Sequence, residues 1–214
     1  MGRLTKQVPK PMLKIKGRPL LEYKIKALPK KITEVIFIIG YCGDEIMDHF
    51  GREFDGRKIR YIFQSVLNGT GGAMHLARGI LDKKFLVMMG DDLYKKSDIN
   101  KLMKNSLAIL AREEKEQAFN YGVFKTDSKG VMLDIIEKPK NQKSGLVNTG
   151  LYVLNNKFFD YELVPIGNGE FGLPQTLVKM ARDYRVKIEK TTNWFPINNQ
   201  EELEKAEKVI SKFI

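Results

Sequence analysis

The feature that most constrains the fold is an alternation of stretches with helical apolar spacing and short apolar runs rich in β-branched residues. "PLLEYKIKAL" has helical spacing and "TEVIFIIGY" reads as a buried parallel strand; "DEIMDHF" follows as a helix and "KIRYIFQ" as a strand. "GGAMHLARGIL" is again helical, and "KFLVMMGDD" is an apolar strand that stops abruptly at two carboxylates. Such alternation implies an α/β architecture with parallel strands. After Leu93 the character changes. "SLAILARE", "YGVFKTD", "VMLDIIEKP" and "VNTGLYVL" read as strands separated by turn chemistry such as "DSKG", so the sheet is expected to become mixed. A helix over "GLPQTLVKMARDY", a strand over "RVKIEKTT" and a helix capped at Asn199 close the chain. No repeat or linker divides it, so residues 1–214 are expected to form one domain.

Composition bounds the partners. The net charge of +11 would suit a polynucleotide, but the lysines are scattered, and runs such as "LPKK", "LDKK" and "YKK" fall at turns and helix ends, where solvated charge explains them. No zinc spacing, RNA-recognition aromatic motif or arginine-rich tail accompanies them, so no nucleic-acid partner is expected. Small polyphosphates remain suitable partners. Cys42 is the one cysteine, which rules out an intrachain disulfide and fits a reducing, cytoplasmic setting. No run reaches the ~20 apolar residues of a membrane helix, so no membrane association is expected.

Ligands of open α/β sheets gather beyond the carboxyl ends of parallel strands, so the residues there are where chemistry is sought. In "YIFQSVLNGTGGAMH" the strand ends at Gln64 and a glycine turn opens a helix at Gly69 and Thr70. Those glycines either serve the turn alone or let backbone approach a ligand at a helix N-terminus. The Gln64 amide offers the donor and acceptor that a pyrimidine imide edge requires. Asp91 and Asp92 are either turn carboxylates or hard oxygen ligands suited to Mg²⁺, which takes one or two carboxylates plus substrate phosphates. Glu137 and Lys138 of "IIEKP" form either a surface ion pair or a sugar-hydroxyl and phosphate contact. Lys10 lies between Pro9 and Pro11, which hold an extended loop and reduce the entropy lost when its ammonium meets an anion. His49 and His75 read as structural or surface residues.

Taken in order, "LTKQVPKPMLKIKGRPLLEY", "QSVLNGTGGAMHLA", "FLVMMGDDLY", "YGVF", "IIEKP" and "VNTGLYV" resemble the sugar-1-phosphate nucleotidyltransferases, such as the glucose-1-phosphate thymidylyltransferases and N-acetylglucosamine-1-phosphate uridylyltransferases. The resemblance covers residues 4–154 and implies a Rossmann-like three-layer α/β/α fold with a mixed, mainly parallel central sheet. It implies that Lys10 contacts substrate phosphate, that Gln64, Gly69 and Thr70 read the base, and that Asp91 holds Mg²⁺ with Asn198 a candidate second ligand. Tyr121, Gly122, Glu137, Lys138, Asn148 and Glu170 would meet the sugar and its phosphate. Lys10, Asp91 and Lys138 would then form the catalytic set.

The implied reaction joins a nucleoside triphosphate, UTP or dTTP favoured by Gln64, to a sugar 1-phosphate and releases pyrophosphate. Two other readings stand beside it: a cytidylyltransferase acting on a phosphorylated alcohol such as phosphocholine, and a catalytically silent module that binds nucleotide-sugars. Relatives of this kind open with an apolar strand and a glycine-rich loop ending in Gly-Thr-Arg, a unit with no counterpart before "VPKPM". The expectation is that Met1 is internal and that the natural protein extends roughly 15 residues upstream, about one strand and one loop.

Overall fold

The computed structural model describes residues 8–213. Residues 4–7 of the first motif, and Met1 with the upstream expectation attached to it, lie outside the described residues.

Along the chain, a 3-10 turn at Lys10–Met12 leads into a small hairpin, β1 (Lys14–Ile15) with β2 (Arg18–Pro19), turned at Lys16 and Gly17, both at positive φ. Then come α1 (Leu20–Ala27), β3 (Glu34–Ile39), α2 (Gly43–Phe50), β4 (Glu53–Phe54), β5 (Arg57–Phe63), α3 (Gly69–Leu76), β6 (Lys84–Met88), β7 (Asp92–Tyr94) and α4 (Lys96–Leu102). The strand-rich half follows, with β8 (Ala108–Glu114), β9 (Gly122–Thr126), β10 (Met132–Glu137), β11 (Gly145–Asn155), β12 (Val164–Gly167) and β13 (Glu170–Gly172). It closes with α5 (Leu173–Ala181), β14 (Lys187–Lys190), β15 (Trp194–Pro196) and α6 (Gln200–Val209).

These residues fall into two compact units. The first comprises the described part of Met1–Ser65, with Met89–Asn100 and the described part of Asn193–Ile214; the second comprises Val66–Met88 and Lys101–Thr192. In the first unit β3 and β5 pair in parallel, from Glu34 opposite Lys58 to Ile39 opposite Phe63. Met12, Leu21, Ile25, Ile39, Ile46 and Phe50 form one core, which places the 3-10 turn after Lys10 on the face shared by α1 and α2. A second core, around Leu20, Tyr23, Leu93, Ile197 and Leu203, gathers α1, β7 and α6. β7 pairs antiparallel with β15, so the residues just after "MMG" are fixed from the C-terminal end of the chain.

The second unit is built on a sheet in the order β10-β9-β11-β8-β14, with β6 also paired to β11. Among the described residues, parallel pairing occurs between β3 and β5 and between β14 and β8, and the other ladders are antiparallel. The expected α/β fold with a mixed sheet is therefore present, while parallel strands are the minority. The alternation read from the sequence is a local signal, and it is silent about β6, whose neighbour β11 lies more than fifty residues away. No helix among the described residues is long and apolar enough to cross a membrane.

The cap read at Asn199 is present. Its side chain accepts from the Glu202 N–H at 2.9 Å, and the Glu202 carboxylate accepts from the Asn198 N–H, two reciprocal bonds that satisfy donors at the start of α6. Asn199→Ala should lower the unfolding free energy by about 1 kcal/mol, read as a lower denaturant midpoint at unchanged slope.

Candidate functional site

In the first unit the candidate residues gather around Gly90 and Asp91. Lys10 Nζ donates to Asp91 Oδ2 at 2.6 Å, 81 residues away in the chain. The approach is steric as much as electrostatic. A Cβ on Gly90 would lie 2.9 Å from Pro11 Cγ, so the glycine before Asp91 lets the Pro11 ring settle on the backbone and sets Lys10 beside the carboxylate. The pair is partly open to solvent, with side-chain exposures of 26% and 37%. Such a pair is worth at most about 1 kcal/mol, so either partner can exchange it for a ligand at little expense to the fold.

Behind this pair lies a buried counterpart. Lys24 is 4% exposed and donates from Nζ to the Asp92 carbonyl, with its ammonium 4.4 Å from the centre of the Tyr94 ring. Burial pulls the Lys24 pKa down to about 8 despite the attraction of Asp92 and Asp91. Burial, helped by the Asp91 charge, pushes Asp92 up to about 7, against the Lys24 charge and bonds from Tyr94 and Trp194. The two adjacent aspartates thus part company: Asp92 is a buried structural group, 8% exposed, and Asp91 faces outward. Sequence reading missed Lys24, although a lysine four residues after Leu20 on the apolar stripe of α1 was a legible signal.

Two more expected residues belong to this unit. Gln64 follows β5 directly, its N–H held by the Ile39 carbonyl at 2.8 Å. Asn198 follows Ile197, whose N–H donates to the Asp91 carbonyl at 3.2 Å, so its backbone adjoins the Asp91 turn. Asp91 alone offers an outward carboxylate, a hard oxygen donor of the kind that Mg²⁺ takes together with phosphate and water. Among the described residues no group of three or more His, Cys, Asp or Glu side chains forms a metal cage.

In the second unit, β9 and β10 bring the sugar-contact candidates together. Glu137 pairs with Gly122 across the ladder, and Lys138 N–H donates to the Tyr121 carbonyl at 3.0 Å. A Cβ on Gly122 would lie 2.8 Å from Glu137 Oε1, so only glycine leaves room for the carboxylate above that strand. Lys138 has φ 43°, a left-handed conformation that strains a non-glycine residue and is found at functional sites as well as in turns. Asn148 sits one residue beyond Val147, which pairs with Val123. Its amide serves its own strand, donating to the Tyr152 hydroxyl at 2.7 Å and accepting from Gly150 N–H at 3.0 Å across the irregularity in β11. Arg112, absent from the sequence reading, lies with its guanidinium 5.7 Å from the Tyr121 ring centre and is paired with Glu114.

The glycine turn has a clear structural employment. A Cβ on Gly69 would lie 2.5 Å from the Phe171 carbonyl oxygen and 3.1 Å from Glu170 Cβ, and one on Gly71 would lie 3.1 Å from that same oxygen. Phe171 N–H donates to Asn68 O at 2.8 Å, and Leu173 N–H to Thr70 Oγ1 at 3.1 Å. Beside the two roles the sequence left open, the structure shows a third, the close approach of β13 to the start of α3. It brings Glu170 beside Gly69 and uses the Thr70 hydroxyl at the start of α5. His75, in the last turn of the same helix, lies among the Phe158 and Phe159 rings.

A family model described as "Nucleotidyl transferase" matches residues 2–211. The bifunctional protein GlmU of Methanococcus aeolicus is 32% identical over 186 residues, covering 86% of this chain and 44% of its own. The chain therefore spans about half the length of the first curated relatives it matches. A D-glycero-α-D-manno-heptose 1-phosphate guanylyltransferase of Campylobacter jejuni is 33% identical over 159 residues, 73% of this chain and 71% of its own. Among solved structures, a UDP-glucose pyrophosphorylase complexed with UDP-glucose superposes with a TM-score of 0.82 over 99% of this chain and 94% of its own, at 21% identity.

The packing of Gly69 makes its own test. With φ at 84° and backbone atoms where a Cβ would go, Gly69→Ala should destabilise the ligand-free protein by about 1–3 kcal/mol, measured by thermal or denaturant unfolding. An unchanged midpoint would assign the glycine to ligand contact alone.

Proposed function

The chain belongs to the nucleotidyl transferase family, and from that premise we propose that it transfers a nucleoside monophosphate from a nucleoside triphosphate to a sugar 1-phosphate, releasing pyrophosphate. The observation that carries the reading is the meeting of Lys10 and Asp91 at one strand end. An oxygen of the sugar 1-phosphate attacks the α-phosphorus while the pyrophosphate oxygen leaves opposite it. The attacking phosphate is already ionised near neutral pH, so the protein's task is alignment and charge neutralisation rather than proton removal.

The roles follow from the chemistry of each side chain. Lys10 exchanges its carboxylate partner for phosphate, Lys138 meets the sugar phosphate, and Asp91, with Asn198, would hold Mg²⁺. That ion supplies positive charge to the phosphate oxygens. Gln64 reads the base with Gly69 and Thr70, which favours UTP or dTTP because one amide matches the imide edge. Tyr121, Gly122, Glu137, Asn148 and Glu170 contact the sugar; Glu137, an acceptor when ionised, takes a hydroxyl hydrogen. Residues 1–214 act as one nucleotidyltransferase domain.

Pyrophosphate release, followed with each of the common nucleoside triphosphates, Mg²⁺ and a panel of sugar 1-phosphates, tests the proposal. Turnover with UTP or dTTP is expected, and Asp91→Asn should reduce it at least a hundredfold while leaving the fold intact. Turnover with GTP alone would overturn the base assignment, and undiminished turnover in the variant would overturn the role of Asp91. Retained nucleotide-sugar binding with no turnover for any pair would favour the silent binding module.

A further inference from the structure

Resting on the nucleotidyl-transfer reading, we propose that Gln175 is a positioning residue that sets sugar selectivity by fixing the Glu137 carboxylate. Gln175 stands in the first turn of α5, and its Nε2 donates to Glu137 Oε1 at 3.0 Å. Its other end is the telling one. Gln175 Oε1 is buried and has no hydrogen-bond partner. A buried acceptor left unpaired is a cost that native structures seldom tolerate, and each case calls for a reason. Turning the amide over would not relieve it, because Oε1 would then face a carboxylate oxygen and both atoms only accept. The amide is therefore locked with its donor toward Glu137.

The surroundings are shaped to keep it there. A Cβ on Gly172 would lie 1.8 Å from Gln175 Oε1, so the chain carries glycine where the amide passes. Thr176 Oγ1 donates to the Gly172 carbonyl at 2.7 Å and accepts from Val164 N–H at 3.0 Å, which anchors the first turn of α5 to β12. Opposite, Gly122 makes room for Glu137 Oε1, the same oxygen that Gln175 holds. One carboxylate oxygen is thus held by a single exposed hydrogen bond that does little for the fold, in space that Gly122 leaves open, and Oε2 is left to accept. The ligand group it takes is a donor at one fixed position, which is a ring hydroxyl of the sugar. A site built to pair with a hydroxyl rejects the analogue that lacks it far more strongly than an apolar pocket rejects a methylene. A loose Glu137 would follow whatever hydroxyl was offered; a held one selects.

Steady-state kinetics on wild type, Gln175→Leu, the isosteric Gln175→Glu, Glu137→Ala and the Glu137→Ala/Gln175→Leu double variant test this, using the sugar 1-phosphate that wild type turns over best and its mono-deoxy analogues. Both Gln175 variants should raise KM for the sugar 1-phosphate about tenfold, leave KM for the nucleotide within twofold, and lose most of the discrimination against one deoxy analogue. Gln175→Leu should add nothing once Glu137 is alanine. Wild-type discrimination retained in a folded Gln175→Glu protein, or losses that add in the double variant, would overturn the role of Gln175 while leaving the transferase reading intact. A wild type that turns over no sugar 1-phosphate would overturn both.

Discussion

The contact on which the account depends is the one between Lys10 and Asp91, made possible by the seating of Pro11 on Gly90. Two neighbouring carboxylates at a strand end repel, and the fold resolves this by giving them different surroundings. Asp92 turns inward, where burial raises its pKa and Lys24 holds its backbone. Asp91 turns outward to a lysine it can release. A half-exposed ion pair contributes little stability, so it is suited to exchange, whereas the buried group beside it is not.

Much of this was legible in the sequence. The apolar runs that became β3, β5, β6 and β8–β11 stood out as short apolar or alternating stretches between turns, and α6 by its cap, because these signals are local. Lys10, Asp91 and the Glu137–Lys138 pair stood out because strand ends and prolines mark where a chain can present polar groups. Less legible were relations between distant segments. Nothing in "GLPQTL" announces that its glutamine reaches a glutamate 38 residues away, and nothing in "NGTGG" tells a turn that admits a ligand from one that admits Phe171. The short strands β7 and β15 were missed for the same reason: each is three residues long, and their pairing is fixed by the core around Leu93 and Ile197 rather than by propensity.

The glycines show how one residue type serves different physics within a single chain. Gly90 and Gly122 admit a side chain, Pro11 in one case and Glu137 in the other, while Gly69 and Gly71 admit the backbone of β13. In each case the missing Cβ is what allows two segments remote in sequence to touch. The candidate chemistry of each unit therefore rests on close approaches that larger residues would forbid, and loop charge alone would not produce it.

The most direct test of the central claim is a crystal structure of the protein with a nucleoside triphosphate and Mg²⁺. Exchange of Lys10 for the ion at Asp91, with Lys10 Nζ bonded to phosphate, is the expected result. An ion held elsewhere, with the Lys10–Asp91 bond intact and neither side chain near the nucleotide, would contradict it.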